Sequence, residues 1–146
     1  MLGFGDKALE LYRMINPIEH SRTKEASKKY KVEPYVIPAD IYGIGNLAGR
    51  GGWTWYTGSA GWFYKVGVQE ILGIQKHGNK LKLNPKIPIS WDGFKAVYTY
   101  EDTTYNIKVT KTENDSLRLD GQIQNSNTIT LENDQRTHTI DIEIKK

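Results

Sequence analysis

No cysteine occurs in the chain, so disulfide staples and thiolate metal ligands are excluded. Nor does any stretch approach the roughly 18 consecutive apolar residues that a membrane-spanning helix needs. The opening MLGFGDKALELYRM carries acidic residues where a secretory leader keeps an unbroken apolar centre. Surplus charge is also scarce: 20 basic and 17 acidic residues leave +3, and residues 95–146 hold 7 basic and 9 acidic. The densest basic run, KKYK at Lys28 to Lys31, has Glu33 beside it and reads as a solvated helix end. A nucleic-acid surface needs a broader basic stripe. These absences predict a cytoplasmic protein whose partners include neither nucleic acid nor membrane.

What is present is an ordinary globular composition, 38% hydrophobic and 25% charged, long enough for one domain or two small lobes. The pattern changes near residue 75. Before it, Asp6 can cap a helix in which Ala8, Leu11, Tyr12 and Ile15 follow the i, i+3, i+4, i+7 spacing, stopped by Asn16-Pro17. A second short helix is predicted from about Ser21 to Tyr30, and Pro34 and Pro38 break the segment after it. A third is predicted from Ser59 to about Leu72, ended by Gly73. Its apolar residues Trp62, Phe63, Tyr64, Val66, Val68, Ile71 and Leu72 surround the axis, the mark of a helix buried on most sides.

After residue 75 the period becomes two. Leu81 and Leu83 alternate with lysines; Phe94, Ala96, Tyr98 and Tyr100 share one face. So do Tyr105, Ile107 and Val109, and later Ile140, Ile142 and Ile144. Turn signals separate them at Glu101-Asp102, Asn114-Asp115, Asp120-Gly121, Asn125 to Asn127 and Asn133-Asp134. The predicted class is α+β: helices over 1–75, then a small antiparallel β-sandwich over 76–146. Three helices, one apolar nearly all round, cannot cover themselves, so the chain reads as the end of something larger.

Chemistry concentrates in GRGGWTWYTGSAGW, Gly49 to Trp62, with five glycines and three tryptophans. Thr57-Gly58-Ser59 stands just before the third helix. The first N–H groups of a helix lack internal partners and its dipole makes that end partly positive. A glycine removes the Cβ that would hold a ligand off the backbone, and two hydroxyls add donors, so the segment can seat phosphate or another oxyanion. It matches neither a Walker loop nor GxGxxG. Alternatively Ser59 only caps the helix. Trp53, Trp55, Tyr56 and Trp62 have two readings, as platforms for sugar rings or as core, and core is expected for most of them. An extended backbone would put Trp53 and Trp55 on one side. Arg50 can meet a carboxylate or an anion. His20, His77 and His138 are too scattered for a metal site and read as surface or capping residues.

The segments EPYVIPADIY, GRGGWTWYTGSAGWFYKVGVQEILGI and LNPKIPISWDGFKAVYTYEDTTYNIKV resemble the C-terminal part of glycoside hydrolase family 94, over about Ala8 to Val109. That family holds inverting glycoside phosphorylases and the phosphorylase-like end of cyclic β-1,2-glucan synthases. The resemblance implies the last helices of an (α/α)6 barrel followed by a small β-domain. It implies inorganic phosphate as a substrate and no cofactor. Phosphate attacks a β-glucoside with inversion while an aspartic acid protonates the leaving oxygen. The family's YTGS segment contacts phosphate, which carries over to Thr57 and Gly58, with Ser59 adjacent. The catalytic acid and the remaining phosphate ligands lie upstream in the family; Asp40 and Asp92 do not match the acid, and no histidine matches the phosphate ligand. No catalytic residue is therefore assigned, and whether the chain alone is an enzyme stays open. The implied partners are phosphate, a β-glucan oligosaccharide and the upstream barrel portion, with a homodimer open. A carbohydrate-binding or assembly module is the alternative from another class.

Overall fold

In the computed structural model, which describes residues 4–55 and 57–146, helices precede strands along the chain. The class is α+β, as the change of period predicts. Lys7–Gly67 makes one compact unit, and Val68–Lys146 together with the residues up to Asp6 makes another.

Helix α1 spans Gly5–Ile15. It buries Leu9 and leaves Leu11 and Ile15 exposed, so the expected stripe is corrected. Ala8, Leu9 and Tyr12, spaced i, i+1, i+4, also share a flank of a 3.6-residue turn, and spacing alone does not separate that flank from the neighbouring one. Tyr12 stacks on Phe63 with ring centroids 3.8 Å apart and planes 11° from parallel. Asp6 lies in the first turn rather than at the cap, and its Oδ1 accepts from the Ile89 N–H at 2.9 Å. The second predicted helix divides into the single turn α2, Pro17–His20, and α3, Lys24–Tyr30. Asn16 caps the first, accepting from Ile18 N–H, and Thr23 caps the second, accepting from Ala26 N–H. His20 behaves as a capping residue, Nε2 lying 2.7 Å from the Met14 carbonyl in the last turn of α1.

Helix α4, Thr57–Lys65, starts two residues before the predicted Ser59 and continues as a π-helical stretch, Val66–Ile71. The expectation that this helix is core fails for its first half. Trp62 and Tyr64 are both 69% exposed. Within its own unit α4 gains the Tyr12–Phe63 stack, too little to cover a helix that is apolar all round. The π-helical half fares differently: Ile71 is buried, and Val68 and Leu72 pack against the β core.

Strands β1 (Ile74–His77), β2 (Lys80–Leu83) and β7 (Thr128–Thr130) form one sheet in the order β1-β2-β7. The other has the order β3-β4-β8-β5-β6, from β3 (Gly93–Tyr100), β4 (Thr103–Thr112), β5 (Ser116–Leu119), β6 (Gln122–Ile123) and β8 (Thr137–Lys145). All pairs are antiparallel except β4 with β8, which run parallel with Ile107 opposite Ile140 and Val109 opposite Ile142. The period-2 residues point inward as predicted. Leu81 and Leu83 of one sheet share a core with Tyr105, Ile107, Val109, Ile140 and Ile142 of the other, which defines a sandwich. Asp120 and Gly121 both adopt positive φ in the β5–β6 connection, the requirement of a two-residue type I′ turn.

One end of the sandwich is polar. Thr103, fully buried, accepts from the N–H groups of Asp134 and Gln135 at 2.9 Å each. The Tyr105 hydroxyl accepts from Glu132 N–H at 2.8 Å. His138 stacks on Tyr105 at 5.0 Å, and its Nδ1 and Nε2 face Asp120 and Asp134 at 2.6 and 3.2 Å. His138, expected as a surface or capping residue, has its side chain 17% exposed and held between Asp120 and Asp134. His77, by contrast, is exposed on β1.

Candidate functional site

The glycine-rich segment is built as one arm of a short irregular ladder. Ala39 N–H donates to the Trp53 carbonyl, Gly52 N–H to Asp40 and Tyr42 N–H to Arg50, and Ile41 bridges Gly51. A 3₁₀ turn at Gly45–Leu47 closes the loop. ADIY and GRGGW, the two pieces of the sequence motif, are thus hydrogen-bonded to each other. Prolines at 34 and 38 obscure this pairing in the sequence. The signal that could have found it is the glycine-bearing run 43–49 between two short alternating segments.

Two glycines let the ladder close. A Cβ at Gly51 would stand 2.7 Å from Val32 Cγ2 and 3.0 Å from the ring of buried Tyr30. A Cβ at Gly52 would overlap the Asp40 carboxylate. The glycines here serve close packing against neighbouring side chains. The buried Tyr30 hydroxyl beneath them makes no hydrogen bond among the described residues. Burial, and secondarily Glu33, push its ionisation above the usual tyrosine range.

Thr57, Gly58 and Ser59 are the first three residues of α4. Ser59 therefore sits inside the first turn and is not the cap. Tyr56 and the side chain of Thr57 lie outside the described residues, so the expected threonine contact is not placed. Gly58 is exposed, and apart from its chain neighbours and the backbone of its own helix no described atom comes within 4 Å of where its Cβ would be. The arrangement offers early helix N–H groups beside open space, which suits an oxyanion.

The aromatics depart from expectation. Trp53 is 77% and Trp55 62% exposed, so neither is core. Nor is the segment extended there: Trp55 has φ 62°, in the left-handed region, and meets Tyr35 edge to face at 6.2 Å. A non-glycine residue in that region stores local strain and persists where its surroundings hold it. Trp62 carries Lys65 Nζ over its ring at 5.1 Å. Arg50 is exposed, and among the described residues its guanidinium makes no ion pair. The structure therefore brings Thr57, Gly58 and Ser59 together at one helix end, and places Arg50 and Trp53 on the preceding ladder arm.

Comparison with known proteins places this arrangement. The family model described as "Glycosyl hydrolase 94 superfamily, catalytic domain" matches residues 1–73, which hold the ladder, α4 and the π-helical stretch. The chain belongs to the glycosyl hydrolase 94 superfamily. It is 51% identical over 106 residues, 73% of its length, to the cyclic beta-(1,2)-glucan synthase NdvB of Rhizobium meliloti (strain 1021), covering 4% of that protein. It is 34% identical over 109 residues, 74% of its length, to the N,N'-diacetylchitobiose phosphorylase of Vibrio proteolyticus, covering 13%. Against the solabiose phosphorylase of Paenibacillus borealis it is 25% identical over 148 aligned positions, 97% of its length and 19% of the relative's. The chain thus spans less than a fifth of each of these relatives. Among the described residues, no helix is long and apolar enough to cross a membrane.

Proposed function

We propose that this chain is the phosphate-loop and β-domain portion of an inverting glycoside phosphorylase acting on β-glucosides, giving α-glucose 1-phosphate. Thr57, Gly58 and Ser59 hold the phosphate, and the domains divide as 1–75, closing an (α/α)6 barrel, and 76–146. The observation that carries the reading is an open glycine at the start of α4, inside the stretch that matches the family's catalytic domain. Early helix N–H groups favour the incoming phosphate, which takes the place that water has in an inverting hydrolase. Its partners are phosphate, a β-glucan oligosaccharide and the upstream barrel portion, and its location is cytoplasmic.

No residue of the chain matches the family's general acid, so the chain alone is inactive. Incubated with phosphate and β-1,2- or β-1,4-glucooligosaccharides, it should release no glucose 1-phosphate. Release would overturn this part of the proposal. In the intact enzyme Thr57→Ala should raise KM for phosphate by about ten- to a hundredfold, what one lost hydrogen bond to a charged ligand predicts. An unchanged KM would remove Thr57 from the site.

A second reading is favoured by the 51% identity to a cyclic glucan synthase: the same phosphate loop at the end of a transferase. The two readings separate on the intact protein by product: cyclic β-1,2-glucan for a synthase, glucose 1-phosphate for a phosphorylase.

A further inference from the structure

Within the β-bearing unit, a cleft of about 570 Å³ opens where the two sheets part. The loop over residues 124–127 crosses it and is pinned at both ends. Gln124 N–H donates to Leu117 of one sheet, and the Asn127 carbonyl accepts from Leu83 of the other, at 2.8 and 2.7 Å. The cleft floor is apolar, with Leu83, Ile87, Leu117 and Ile142, all of them buried. Its walls are polar. The side-chain amides of Asn84 and Asn125 line it and make no hydrogen bond among the described residues. Ser116 donates to Glu143 at 2.7 Å, which fixes a carboxylate on the wall, and Asp115 is fixed by accepting from Lys145 N–H at 2.8 Å.

We propose that this cleft is a second saccharide site, taking a neutral β-glucan oligosaccharide. Its size falls in the range of ligand pockets. A pyranose has an apolar C–H face and a rim of hydroxyls that both donate and accept. Ile89, apolar and exposed in the same lining, suits the face. Amides that give and take, with fixed carboxylates that accept, suit the rim. Lys86, Lys111, Lys145 and Lys146 line the same cleft as Asp115 and Glu143, so charges of both signs meet there, and a neutral, hydroxyl-rich ligand can accept from the one and donate to the other. The choice of a glucan rests on the functional reading above; the site itself does not depend on the phosphate seat.

The test is calorimetric titration of the full chain with β-1,2-glucotetraose, and separately with α-glucose 1-phosphate and inorganic phosphate, alongside amide chemical-shift mapping. The tetraose should bind in the high-micromolar range and shift Asn84, Ser116, Asn125 and Glu143. Asn125→Ala and Glu143→Gln should each weaken it by up to about tenfold, while Trp53→Ala and Trp55→Ala leave it unchanged. Equal thermal unfolding of variant and parent shows that weakening is not loss of fold, and a variant that does unfold is replaced by Asn84→Ala. No binding at millimolar tetraose, shifts confined to the Trp53–Trp55 surface, or tighter binding of the sugar phosphate would each overturn the proposal. Tetraose binding at the cleft with an unchanged phosphate KM for Thr57→Ala would sink the phosphate reading alone. The converse pair of results would sink the cleft alone.

Discussion

Nδ1 of His138 lies 2.6 Å from Oδ2 of Asp120, while Nε2 of the same ring faces Asp134 at 3.2 Å. Two carboxylates accept and neither donates, so only the doubly protonated imidazolium satisfies both. Asp120, on the β5–β6 turn, and Asp134, on the β7–β8 loop, are thereby tied to β8. The bond to Asp120, and secondarily that to Asp134, hold the histidine above its ordinary 6.5 against an opposing burial effect. Asp120 is lowered from 3.8 by His138 first and the Thr139 N–H second. Burial raises Asp134, but the Arg136 N–H and His138 outweigh it and leave it below 3.8.

A raised histidine stabilises the fold fully below its unfolded value and loses that contribution as pH climbs through the folded one. Lowered aspartates stabilise above their unfolded value and lose it as pH falls through the folded one. The triad therefore contributes most between about pH 4 and 6.5. Thermal unfolding should show Tm falling as pH rises above about 6.5, and His138→Gln should flatten that fall. At pH 5.5 His138→Ala should cost about 1–3 kcal/mol, for a stacked ring and its charge-assisted bonds. A pH profile identical in parent and His138→Gln would refute the assignment.

Tyr30 carries a hydroxyl buried in the chain without a partner among the described residues. Burying such a group unbonded costs about 1–3 kcal/mol, whereas its ring packs against Gly51 and stacks with His20 at 5.2 Å. Tyr30→Phe keeps the ring and removes the orphan, so unfolding in urea should show unchanged or higher stability, by up to about 1 kcal/mol. A loss of more than that would mean the hydroxyl is bonded in solution.

Gly51 and Gly58 belong to one motif but should respond oppositely to alanine. At Gly51 the new methyl group meets Val32 and Tyr30, and overpacking of that kind costs about 1–3 kcal/mol. At Gly58 the space is open and α4 has begun, so alanine should stabilise the chain by up to about 1 kcal/mol. If Gly58 exists to bring phosphate to the backbone, the same change should weaken phosphate use by the intact enzyme. Destabilisation by Gly58→Ala in this chain would contradict the open geometry.

Much of the β-domain was legible because one face of each long strand is buried. Tyr105, Ile107 and Val109, like Ile140 and Ile142, alternate strictly with polar residues, and that period fixes the inward face. It does not fix the partner, so the parallel run of β4 beside β8 was not visible. In α1 the difference between burying Leu9 and burying Leu11 is a rotation of the helix that packing decides. For the site, Thr57-Gly58-Ser59 stood out by residue type, and its place at a helix start followed. The ladder joining ADIY to GRGGW did not, because its bonds are backbone bonds made by residues with little side-chain pattern.

Tryptophan invites the inference of core, and Trp62 shows where that inference stops. Its ring is 69% exposed, with Lys65 over one face, whereas Leu81 is fully buried between the sheets. Burial, not side-chain size, sets the cost of truncation. Leu81→Ala should cost about 2–5 kcal/mol in urea unfolding of this chain. Trp62→Ala should cost no more than about 1 kcal/mol, the worth of an exposed cation–π contact. The exposed ring of Trp62, with exposed Tyr64 on another side of α4, is the kind of aromatic surface that marks an interaction site. In the intact phosphorylase proposed here, upstream barrel helices would cover it, and Trp62→Ala should then cost several-fold more than in this chain. Equal losses in the two contexts would show that this surface stays open and that α4 does not close a barrel.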